Sequence, residues 1–188
     1  GSRADDIAVF EEFAAEEELK IRLHVMLSGM DTTLLKTYYA KGPQIGLYDN
    51  HLNIRSIKLY ADGALGSRGP WLLEEYSDAH GVHGHNVTPM EDIEEVVFDG
   101  LANGFQMCTH AIGDRANREV LDIYERAFSK YPEQAKDSRF RIEHAQHIHP
   151  EDIPRFAKLG VLPAMQAIHM SSDRSWAIDR LGKERIEN

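Results

Sequence analysis

Short apolar runs alternate along this chain with longer stretches in which apolar residues return every three or four positions. Residues 21–27, 53–61, 105–110, 140–144 and 161–166 have the length and apolar density of strands. Between them lie helical patterns. Residues 8–19 are acidic, with Phe10, Phe13, Ala14 and Leu19 on one side. Residues 32–40 follow a capping Asp31. Residues 88–102 open on Thr88 as N-cap and Pro89 at the first helical position. Residues 114–131 follow, then 150–159 closed by Gly160, and 175–187 at the end. Residues 62–86 are glycine-rich and irregular.

Five strands and six helices in alternation, with no hairpin signal, predict a parallel sheet joined by helical crossovers. An open doubly wound sheet and a (β/α) barrel both satisfy that pattern. The polar residues favour the barrel. Lys58, His110, His144 and Gln166 each close a different strand, and a barrel keeps its chemistry at the C-terminal strand ends. A complete barrel takes roughly 250 residues. Five strands in 188 residues therefore predict an α/β fold that is part of a (β/α)8 TIM barrel.

Composition narrows the function. A net charge of -10 with no basic cluster argues against nucleic acid as a partner. No apolar stretch is long enough for a bilayer, and no secretory signal is visible. The single Cys108 lies in an apolar run, where it reads as a small core residue rather than a nucleophile. Its solitude fits a reducing, cytoplasmic location. The leading Gly1-Ser2 has the look of an appended pair, which leaves the natural N-terminus open. Ten histidines raise the expectation of metal chemistry.

His110 and His144 stand out because each ends a strand, where imidazole nitrogen could meet a metal. The bland alternative is two structural histidines. Lys58 also ends a strand, and could equally be an ordinary solvent-facing lysine. Asp62, Ser67 and Arg68 lie in the loop after Lys58, and a guanidinium there could clamp a substrate oxygen. Asp114 follows His110 at a helix start, either orienting the site or capping the helix. His169 follows the last strand and could touch substrate. Glu143 should point away from the face used by His144, as a structural residue in an ion pair between elements. Gln146 could orient a ligand or fill a loop. His83-Gly-His85 and His147-Ile-His149 spell His-x-His, but neither lies on a strand, so neither is assigned to a metal.

Three ordered blocks carry a resemblance: Lys58-Leu-Tyr-Ala-Asp-Gly-Ala-Leu-Gly-Ser-Arg-Gly69, Thr109-His-Ala-Ile-Gly-Asp-Arg-Ala116 and Ile142-Glu-His-Ala-Gln146. With the ending Arg180-Leu-Gly-Lys-Glu-Arg185, the chain resembles the amidohydrolase superfamily, in the YtcJ-like branch that includes N-substituted formamide deformylases. The resemblance implies that Lys58 ends the fourth barrel strand as a lysine carbamate, with His110 on the fifth and His144 on the sixth. Together they would hold one or two zinc ions. A metal-activated hydroxide would then attack an amide or formamide-like C–N substrate. By the same resemblance, a His-x-His pair on the first strand and a general-base aspartate on the eighth have no counterpart here. The chain would begin on the helix before the third strand, carry about strands three to seven, and supply no catalytic base. It would be inactive alone, and would self-associate through open strand edges. Two other readings stay open: a barrel lyase or isomerase using Lys58 as a Schiff-base amine, and a non-catalytic scaffold derived from a barrel.

Overall fold

The structure, a computed structural model, describes residues 1–186. One twisted sheet carries the fold. Its parallel strands are β1 (Leu23–Ser28), β3 (Leu52–Tyr60), β4 (Gln106–Ala111), β5 (Arg141–His144) and β6 (Leu162–Ala164), side by side in that order. Helices α1 (Ala4–Ala15), α2 (Thr32–Lys41), α4 (Met90–Ala102), α5 (Asp114–Lys130) and α7 (Ile153–Leu159) alternate with them, and the short α6 (Pro132–Ala135) follows α5. The sequential order of neighbours and the helical crossovers make this a partial (β/α)8 barrel, open along one side.

The core lies between the sheet and these helices. Leu52, Ile54, Ile57 and Leu59 of β3 are fully buried in one core cluster with Ile93 and Val97 of α4 and Val120 and Tyr124 of α5. A single register shift decides which β3 residues enter that core. Val25 pairs with Ile54 but Met26 pairs with Ser56, so Arg55 is one extra residue on β3. Paired residues of parallel strands share a face, and Val25 and Leu27 lie on one face of β1. Ile54 and Ile57, three apart, therefore both face the helices, and Ser56 and Lys58 turn to the opposite, concave face.

Several local features depart from the sequence pattern. A sixth strand, β2 (Gln44–Gly46), pairs antiparallel with β3 through Gln44 and Ile54. Three residues are too few to display alternation. The reversal is made by Gly46 and by the short turn α3 (Leu47–Asn50), where Tyr48, Asp49 and Asn50 all have positive φ. Ser2 bridges Leu27 in parallel register, on the outer edge of β1. α4 begins at Met90 with Pro89 as its cap, and no side chain, Thr88 included, makes a capping bond. Asp31 does cap α2, accepting from the Leu34 N–H at 2.9 Å. Gly160, with φ 69°, closes α7. The final helical stretch is two helices, α8 (Ile168–Ser172) and α9 (Arg174–Arg185), the latter kinked at Gly182. Glu187, the expected end of that stretch, lies outside the described residues.

The irregular 62–86 segment is tied down by a second, smaller core. Leu65, Leu72, Tyr76 and Ile112 pack with Ala177 and Leu181 of α9. Among the described residues, no helix is long and apolar enough to cross a membrane.

Candidate metal-binding site

The concave face is built in rows. Lys58 pairs with Cys108, which pairs with Arg141; one step up, Tyr60 pairs with His110, which pairs with Glu143. Alternation along each strand thus brings a lysine and a histidine to adjacent levels of one surface. His144 joins them by a different device. It sits one residue past Glu143, so a regular strand would send it to the helix side. Its φ of 75°, followed by 42° at Ala145, breaks the alternation. The His144 ring then meets the His110 ring edge to face at 4.5 Å.

Lys58 is buried. Its Nζ lies 4.3 Å from the centre of the Tyr60 ring and donates to the Leu59 carbonyl. Desolvation pulls the ammonium pKa down to about 8, against the opposing pull of Glu143. The Tyr60 ring in turn lies 5.8 Å from that of His110. His144 is also held below the usual imidazole range, chiefly by burial, while its bond to Gln166 works the other way.

The ring nitrogens are partly committed. His144 Nδ1 bonds Gln166 Oε1 at 2.7 Å, which leaves Nε2 free. His110 Nε2 lies 3.3 Å from Asp62 Oδ1, a contact too poorly aligned to count as a hydrogen bond. Two imidazoles and a readily deprotonated lysine suit a divalent metal as part of a donor set. Among the described residues, no group of three or more His, Cys, Asp or Glu side chains is gathered as a metal cluster.

The expected substrate residues fall into two groups. His169 stands beside the site, its ring 5.9 Å from His144 and its Nε2 at 3.1 Å from the same Gln166 oxygen. Asp62, Asp114 and Arg68 are used otherwise. Asp62 is buried and accepts the backbone N–H groups of Trp71, Ile112 and Gly113 at 2.8–2.9 Å, locking the 62–86 loop to the end of β4. Asp114 accepts from Leu73 N–H at 2.9 Å and pins the same loop. Arg68 makes a two-pronged pair with Asp78 at 3.0 Å, and Arg180 of α9 joins that carboxylate. A guanidinium so engaged fastens the loop to α9.

Glu143 corrects a further expectation. It shares the concave face with Lys58, and its ion pair, to Arg141 at 2.8 Å, lies within its own strand. Cys108 is fully buried, and burial pushes its thiol up to about 11. Two residues went unread in the sequence, and a third was set aside. Tyr60 could have been found, since it lies two positions beyond Lys58 on the same strand. Asn117 has no sequence signal; it is fully buried and donates to the carbonyls of Ala111, Gly113 and His147. His147 belongs to a pattern set aside as off-strand. Its ring nitrogens are buried without partners, and burial lowers its pKa to about 4.

Relatives give this arrangement its context. The chain is 32% identical over 171 residues to LONG AFTER FAR-RED 3 of Arabidopsis thaliana, covering 91% of this chain and 29% of that protein. It is 35% identical over 138 residues to YtcJ of Bacillus subtilis, covering 73% of this chain and 25% of that protein. An uncharacterized metal-dependent hydrolase from Pyrococcus furiosus superposes with a TM-score of 0.81 at 30% identity, over 95% of this chain and 35% of that one. The chain thus spans about a third or less of the length of the proteins it matches. The sequence profile of the amidohydrolase family matches residues 1–188, from end to end, and the chain belongs to that family.

Proposed function

We propose that this chain forms part of a metal-dependent hydrolase acting on an amide or formamide-like C–N bond, and that Lys58, His110 and His144 are its metal ligands. The observation that carries the reading is the meeting of the His110 and His144 rings at 4.5 Å on the face that also holds Lys58. His144 Nε2 is unbonded, and His110 Nε2 has only an ill-aligned carboxylate beside it. Zinc is the ion that this donor set suits best, once Lys58 has given up its proton or become a carbamate. A bound zinc would polarise the scissile carbonyl and supply hydroxide near neutral pH.

The chain's own residues have separate tasks. Gln166 fixes the tautomer and direction of His144 through Nδ1. Asp62 backs His110 from the loop side. Glu143 favours the charged form of Lys58, and burial opposes it. Small-molecule amides are the proposed substrates, in the cytoplasm. The chain alone is proposed to be inactive and to pair with a second copy through its strand edges.

Elemental analysis after dialysis against zinc and bicarbonate tests the ligand set. The expected result is close to one zinc per chain, lost in Lys58→Ala, His110→Ala and His144→Ala. Equal zinc in all four proteins sinks the assignment. Metal-dependent amide hydrolysis by the purified chain, or a clean monomer in sedimentation, overturns the corresponding clause. The depressed pKa of Lys58 also suits a Schiff-base amine. Borohydride trapping of an aldehyde on Lys58, in a chain that takes up no zinc, would favour that second reading.

A further inference from the structure

Beside His144, the end of β6 and the helices α8 and α9 line an open cleft of about 400 Å3. That volume falls in the small-molecule range, roughly 300–1,000 Å3. Met165, Met170, Ala177 and Ile186 supply apolar wall. Met165 and Met170 are 62% and 80% exposed, an unusual display for two thioethers unless something covers them. The polar part of the wall is incomplete. Gln146 donates its amide N–H to Asp173 at 2.8 Å, which leaves its Oε1 buried with no partner. Both ring nitrogens of His147, on the same wall, are buried and unpartnered too. Buried polar atoms are nearly always bonded, so orphans in a pocket wall mark where a ligand's own polar atoms belong. Asp173 and Arg174 both line the pocket and bring one charge of each sign.

We infer that this pocket binds the part of the substrate beyond the scissile bond, and that this part is a ring-sized apolar group bearing an uncharged carboxamide. The ring lies against Met165 and Met170, where polarizable sulfur favours aromatic contact. The carboxamide N–H donates to Gln146 Oε1, and its carbonyl accepts from a ring N–H of His147. A peptide-like substrate with an apolar side chain presents this combination. The placement of the scissile bond rests on the proposed hydrolase reading, but occupancy of the pocket does not.

The test is therefore made without metal. Phenylacetamide is titrated into the whole chain with methyl-labelled methionines, with acetamide as the ringless control. The expected result is saturable shifts of the Met165 and Met170 methyl signals with phenylacetamide only. Met165→Lys/Met170→Lys should weaken binding about tenfold through loss of apolar wall. Both methionines are exposed, so the fold should tolerate the change, and an unchanged melting temperature checks it. No saturable shift, or equal response to acetamide, overturns the inference. Either failure leaves the zinc measurement standing, and loss of zinc binding leaves this result standing.

Discussion

His144 reaches His110, ring edge to ring face at 4.5 Å, only because its backbone leaves the strand conformation at φ 75°. A side chain bearing a β-carbon pays about 1–2 kcal/mol for that conformation. The strain lies at the residue proposed to bind metal, where such strain tends to collect. His144→Gly should therefore be more stable to urea than His144→Ala, by about 1 kcal/mol, although both lose the imidazole. Equal midpoints would show that the backbone at 144 is relaxed.

Asp62 joins three backbone N–H groups from two segments, so its loss has a defined cost. Asp62→Ala leaves the N–H groups of Trp71, Ile112 and Gly113 unsatisfied in a buried place. Each such group costs about 1–3 kcal/mol, with partial relief from water entry. We expect roughly 3 kcal/mol of destabilisation by denaturant titration, and early proteolysis within 62–86. Asp62→Asn retains one acceptor oxygen and should lose less. Intact loop protection in Asp62→Ala would refute the role.

Gly113 tests the same junction by packing. Its φ of -73° suits any residue, so conformational freedom is not why it is glycine. A β-carbon there would meet the Trp71 carbonyl oxygen at 2.2 Å, and that oxygen is backbone. Gly113→Ala must push the 62–86 loop off the start of α5, at about 1–3 kcal/mol. Tryptophan fluorescence should report it, because the Arg115 guanidinium stacks 4.4 Å from the Trp71 ring. An unshifted melting temperature and spectrum would contradict this.

Strand ends were the legible part of the site. Lys58, His110 and His144 close apolar runs, and a strand's period of two carries His110 onto the concave face. What was not legible is instructive in physical terms. The face of Lys58 depends on the extra residue Arg55 in β3, which leaves no mark in composition. His144 reaches that face through a left-handed backbone that the pattern Ile-Glu-His does not announce. Arg68, Asp62 and Asp114 have the side chains of substrate contacts, yet the partners that tie down the 62–86 loop lie 9 to 51 positions away in the chain. Residue type names a capacity, and the fold decides which group uses it. β2 was missed because three residues hold no period.

His147 makes stability depend on pH. Burial lowers its pKa from 6.5 to about 4. Between those values the unfolded chain binds the proton and the native chain does not, so stability rises with pH across that window. The contribution is full above pH 6.5 and fades as pH falls to about 4, to a total of roughly 3 kcal/mol. His147→Gln cannot titrate and should flatten the urea midpoint between pH 4 and 6.5. An unchanged slope in that variant would assign the acid sensitivity elsewhere.

Lys58 has its pKa shifted in the same direction, with a chemical consequence. Burial lowers it from 10.5 to about 8, so an appreciable share is free amine at mildly alkaline pH. An exposed lysine under the same conditions is almost wholly ammonium. Free amine is the form that attacks carbon dioxide: the nitrogen lone pair forms the N–C bond, a proton leaves, and a carbamate results. With carbon-13 bicarbonate, a carbamate resonance should grow as pH rises through about 8 and vanish in Lys58→Arg. Glu143 works against the shift by favouring the ammonium, so Glu143→Gln should move the midpoint to lower pH. The linkage sign follows: between pH 8 and 10.5 the unfolded chain holds more protons, and stability gains with pH there. A carbamate midpoint near 10.5, shared with the surface lysines, would mean that burial does not act on Lys58.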